Sequence, residues 1–297
     1  MRIFGLDFTS RPTPKKPITC AVCEIENKKL SVLSFLAIND FNSFENFCEA
    51  GGAWIAGMDF PFGMPHKLID DLQYPKAWER YVAKFGSMSR KNFVDLLTDY
   101  KSKQPKGSKE HRRITDKKAG SLSPMKLYGV PVGKMFFEGA PRLARSGASI
   151  LPFVKRSKER IIIEAYPGLV ARKAIGRRSY KTDDKRKQSA EQTSARSEIV
   201  NWLYGRCASS YSMNIELRNE LANMAIIDPS GDVLDSVLCA IQAAWAFLKR
   251  HNGYGIPSGV DSLEGWIIDP HLIVCEAGAP HKERVNSNEY RRGNCIK

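Results

Sequence analysis

The chain has 297 residues, 42% hydrophobic and 26% charged, enough to bury the core of one large domain with insertions or of two domains. It holds no run of eighteen apolar residues, which argues against a membrane-spanning helix, and its opening MRIFGLDF is too short and too acidic for a signal peptide, so a cytoplasmic location is expected. Lysine and arginine (46) outnumber aspartate and glutamate (32), and the net charge of +14 attracts polyanions, nucleic acid first.

Residues 2 to 8 predict a buried strand, and PITCAVCEIEN and KLSVLSFLAI predict two more joined by a polar turn. Phe41, Phe44, Phe47 and Cys48 recur at helical spacing until a double glycine stops them, and AWIAGMD then predicts a fourth strand. From residue 65 to 155 the pattern is helical with breaks near Pro75 and Gly86, then rich in glycine and proline, and reads as an insertion or cap. A fifth strand ends in Glu164, and Pro167 opens the helix after it. The strongest helix is SGDVLDSVLCAIQAAWAFLKR, with Leu234, Leu238, Ile241, Trp245 and Leu248 on its core side. A short closing strand is expected in EGWIIDP. The domain plan is a core over 1–64 and 156–270, the insertion over 65–155, and an irregular tail over 271–297.

Seven cysteines, several within apolar runs, predict reduced buried thiols. Cys20 and Cys23 would face opposite sides of a strand, which disfavours a zinc site.

Asp7, Asp59 and Glu164 each end an apolar run that is followed by loop-like sequence, where ligands bind in α/β sheets. Asp232 and Asp235, three apart in a first helical turn, share a face and are placed to meet them. Converging carboxylates repel unless a cation neutralises them, and an oxygen-only set suits Mg²⁺ or Mn²⁺. Taken singly, Asp7 and Asp59 are equally suited to turn capping, while Glu164 and Asp232 suit a helix dipole. Two basic runs accompany the acids: residues 101–118 carry eight Lys or Arg against two acids, and 172–196 carry nine against three. Arg112, Arg113, Lys117 and Lys118 are the expected substrate contacts, because guanidinium groups grip phosphates bidentately. A solvated loop is the alternative.

The order of elements resembles the ribonuclease H-like fold. GLDFTSRP, GMDFPFG, EAYPG and LDSVLCAIQAAWAF, followed by GYGIP and EGW, resemble the motifs of the uncharacterised domain of unknown function 429 family over most of residues 1 to 268. The resemblance implies an α/β fold with a mixed five-stranded sheet flanked by helices and a helical or irregular insertion. It also implies a metal-dependent nuclease with Asp7, Asp59 and Asp235 at the catalytic metal positions. Asp232 would complete a pair of helical acids, and Glu164 lies in a family motif. The alternatives are a non-catalytic nucleic-acid-binding protein of the same fold and, from DFTS and DFPFG, an ATP-dependent phosphotransferase.

Overall fold

Along β1 (Arg2–Asp7) the side chains alternate between two cores: Ile3 faces one, Phe4 and Leu6 the other. A strand buried on both faces must lie inside a sheet covered on both sides. The computed structural model, which describes residues 1–182 and 184–273, has this arrangement. β1 pairs with antiparallel β2 (Ile18–Glu26), which pairs with antiparallel β3 (Lys29–Ile38). On its other side β1 pairs with parallel β4 (Trp54–Met58). Short edge strands extend this sheet, so the order is β5 (Ser149–Leu151), β6 (Arg160–Glu164), β4, β1, β2, β3, β7 (Asn214–Leu217).

The fold is therefore α/β with a seven-stranded mixed sheet flanked by helices, and the expected count of five strands is corrected. β5 and β7 have three and four residues, too few for a period-2 pattern to show. The closing strand expected in EGWIIDP is a single bridge between Ile267 and Glu164.

One face of the sheet carries α1 (Phe41–Glu49) together with helices of the expected insertion: α2 (His66–Asp71), α3 (Trp78–Gly86), α4 (Arg90–Ser102) and α6 (Val132–Arg145), whereas α5 (Ile114–Ala119) places Ala119 in the opposite core. Phe85, Phe93 and Phe136 from this stretch share one apolar cluster with Phe4 and Ala56 of the sheet, so the stretch forms a structural layer. α6 escaped the sequence pattern because Gly139 and Pro141 lie inside it. Gly139 is there for packing: a Cβ would come within 2.3 Å of the Phe60 ring.

The opposite face carries α7 (Pro167–Ile175), α8 (Ala190–Gly205), α9 (Cys207–Tyr211), α10 (Asn219–Ile227) and α11 (Asp232–Leu248). α11 lies directly on the sheet, because Gly5 and Gly57 present no side chain to it. A Cβ on Gly5 would be 2.0 Å from Ser236 O and 2.2 Å from Ala240 N, and one on Gly57 would be 2.5 Å from Cys239 O. These contacts are to helix backbone, which cannot yield as a side chain can. Gly5→Ala is therefore expected to destabilise the protein by roughly 2–3 kcal/mol or more. Chemical denaturation checks this, and an unchanged midpoint would show that α11 can lift without cost.

Among the described residues all five cysteines are free and buried, with Cys20 and Cys23 in opposite cores, and no helix is long and apolar enough to cross a membrane. Cys275, Cys295 and the expected tail from 274 onward lie outside the described residues.

Candidate functional site

Asp7 closes β1, and Asp59 directly follows β4. The pairing Gly5↔Gly57 and Leu6↔Met58, continued by the Asp59 N–H donating to Leu6 O at 3.0 Å, sets the two aspartates side by side. Alternate residues share a face, so each aspartate lies on the face of the glycine two residues before it, the face that α11 covers. One local pattern, Gly-x-Asp, thus makes room for the helix and aims a carboxylate at its first turns.

The helix starts where it does because Asp228 caps it: its Oδ2 accepts from Val233 N at 3.1 Å, and its Oδ1 accepts from the Ser230 hydroxyl at 2.6 Å. Gly231, at φ +75°, makes the entry turn, and its Cα packs against Lys181, where a Cβ would be 2.9 Å from the lysine Cβ. Asp235 is fully buried and accepts from the Tyr180 hydroxyl at 2.6 Å and from Lys181 Nζ. Arg196, also buried, donates to Tyr180 O at 2.7 Å and to Ile226 O at 2.6 Å, which fastens the Tyr180–Lys181 segment between α8 and α10.

Four carboxylates, Asp7, Asp59, Asp232 and Asp235, therefore surround one ammonium, that of Lys181. Burial, then the neighbouring Asp232, push the Asp7 carboxyl well above the ordinary carboxylate range. Burial pushes Asp59 up to about 7 against the opposing pull of Lys181. Asp232 is raised by burial and then by Asp228. Burial works against the Lys181 charge, but Asp235, Tyr180, Asp7 and Asp59 together hold its pKa well above the usual lysine value.

Among the described residues no group of three or more His, Cys, Asp or Glu side chains is arranged to hold a metal ion. The expected set of four or five carboxylate ligands is thus reduced, since Asp235 is occupied by Tyr180 and Lys181. Asp7 and Asp59 differ: among the described residues no hydrogen-bond donor meets either carboxylate. Such a pair fits Mg²⁺, which is commonly held by one or two carboxylates, water and the substrate's phosphate oxygens.

Asp59 and Lys181 also line a cavity of about 770 Å³ between α5–α6 on one side and α7 with the loop after it on the other. Arg112, Lys117, Arg172 and Arg177 line it too.

Residues 5–260 match the model of a family described as protein of unknown function (DUF429). The chain belongs to the DUF429 family. No curated protein and no solved structure matches it. The matched span of this DUF429 chain contains all four clustered aspartates, Tyr180, Lys181 and Arg196.

Two expected site residues take other roles in this DUF429 chain. Glu164 follows Ile163 of one core and lies, like Ile162, on the face opposite the aspartates, although its charge still helps to raise Asp59. Its carboxylate accepts from Arg113 Nη1 at 2.8 Å and from Phe62 N at 2.9 Å. Arg113, 1% exposed, also donates to both oxygens of Asp116, at 2.9 and 2.8 Å, and to Glu264 O at 3.1 Å. It braces the loop before α5 against the sheet, and its donors are not free to grip a phosphate. Arg112 and Lys117 are exposed at the cavity, whereas Lys118 lies over the Trp266 ring, 5.4 Å from its centroid.

Lys181, Tyr180 and Arg196 were legible only as members of a basic run. Nothing local distinguishes Lys181 from its neighbours, because its partner Asp235 lies 54 residues away.

Proposed function

We propose that the protein is a metal-dependent nuclease of ribonuclease H-like fold that hydrolyses phosphodiester bonds of nucleic acid. The observation that carries this reading is the Asp7–Asp59 pair: two half-buried, donor-free carboxylates at the ends of adjacent parallel strands, with Asp59 lining a cavity walled by cations. The central order β6-β4-β1-β2-β3, with β2 alone antiparallel, supports the fold part of the proposal.

Asp7 and Asp59 would hold Mg²⁺ or Mn²⁺. When bound, such an ion polarises a phosphoryl oxygen and lowers the pKa of a coordinated water. Asp232, beside Asp7 and partly exposed, would accept a proton from an attacking water. Lys181 orients Asp235 and lends positive charge to the floor, where negative charge develops on the phosphoryl group. Arg112, Lys117, Arg172 and Arg177 would hold the flanking phosphates.

Calorimetric titration with Mn²⁺ and Mg²⁺ tests the site. Protons on the raised carboxyls must leave as the ion enters, so binding should release protons and tighten from roughly pH 6 to pH 8, through the Asp59 pKa of about 7. Asp7→Asn is expected to bind neither ion and to cleave no labelled DNA or RNA. Retained cleavage in a pure Asp7→Asn preparation would sink the proposal. Salt-sensitive binding of nucleic acid by the wild type without turnover would instead assign a binding role.

A further inference from the structure

We propose that the cavity receives one unpaired nucleotide, so that the protein engages single-stranded or locally opened nucleic acid in preference to intact duplex. The inference borrows its phosphate chemistry from the nuclease reading, but its binding prediction stands apart from cleavage.

The cavity of about 770 Å³ lies in the range that accepts one small molecule, a nucleotide among them. Asp59 and Lys181 line it beside the apolar walls, so a nucleotide that enters it sets its phosphate near both. A nucleotide held in a duplex stack must leave that stack to do so.

The chemistry of the walls agrees. Val132 and Met135 on α6 face Ile175 and Tyr166 across the cavity, giving apolar and aromatic surface suited to the face of a base. Of the basic residues lining it, Arg113, Arg178 and Lys181 are paired with carboxylates. Arg112, Lys117, Arg172 and Arg177 have no carboxylate partner among the described residues; Arg112 and Arg172 donate to backbone carbonyls, and Arg172 also to the Tyr166 hydroxyl. Charge left over at the walls beside an apolar interior matches a nucleotide, which is anionic at its backbone and flat and apolar at its base. Two residues before Val130 of the cavity wall, Tyr128 is 68% exposed with Lys134 Nζ 5.5 Å from its ring centroid, an aromatic and a cation suited to the next base and phosphate of a flexible strand.

Fluorescence anisotropy in EDTA, with labelled DNA and RNA strands of about twelve nucleotides and the matching blunt duplexes, tests this without any cleavage. Single strands should bind at least tenfold more tightly than duplexes, the DNA and RNA arms separating any sugar preference. Val132→Trp and Met135→Trp, each filling the cavity from α6, should abolish that preference, and thermal melts identify which variant is folded. Equal or tighter duplex binding by the wild type overturns the proposal, as does a folded tryptophan variant that keeps the preference. Preferential strand binding with no Mn²⁺-dependent cleavage sustains this inference and removes the nuclease reading, while cleavage of duplex alone does the reverse.

Discussion

Asp59→Asn is expected to lose divalent-cation binding and to slow strand cleavage by about 10³-fold or more, equivalent to about 4 kcal/mol, while making the metal-free protein more stable at pH 8. The sign follows from proton linkage. Asp59 titrates near 7 in the folded chain and near its ordinary value of about 3.9 when unfolded, so the folded state holds the extra proton. Its contribution to stability is fully present below pH of about 4 and is lost as pH rises through about 7. Asparagine resembles the protonated acid and suffers no such loss. The gain should be on the order of 1–2 kcal/mol at pH 8, a few degrees in melting temperature, and should vanish near pH 4. Melting curves of both proteins across this range in EDTA decide the matter. A variant that melts below the wild type at pH 8 would show that Asp59 makes a stabilising bond and is no strained ligand.

Arg113→Ala should destabilise the fold by about 3–5 kcal/mol, because it strands Glu164 and Asp116 as buried carboxylates without their shared cation. Arg113→Lys should rescue little, since one ammonium cannot reproduce a guanidinium fork that serves both acids. Its neighbour gives the contrast. Arg112 is exposed and its side chain donates to Ser121 O, so Arg112→Ala should cost well under 1 kcal/mol in stability yet weaken nucleic-acid binding. Urea denaturation of the two alanine variants, with anisotropy on the folded one, measures both effects. Equal stability losses at the two positions would refute the division of roles.

The aspartates were legible in the sequence because each breaks an apolar strand at its end, and a buried charge in that setting needs a cause. Glu164 fits the same description and the pattern includes it, yet it serves Arg113. The difference lies in parity: Asp7 and Asp59 fall on the face of Gly5 and Gly57, whereas Glu164 falls on the face of Ile162. Arg112 and Arg113 are adjacent in one basic run, but one is exposed at the cavity and the other is buried beneath it.

By itself the sequence determined the central strands, the long apolar helix, the Gly-x-Asp pairs and the excess of basic charge, because these depend on local periodicity and composition. Only the tertiary structure decided that α11 rests on two glycines, that Lys181 compensates Asp235 and leaves Asp7 and Asp59 free, and that the middle of the chain is a packed layer walling a cavity. Those outcomes depend on which face a strand turns inward and on contacts between residues far apart in the chain, and no local pattern encodes either.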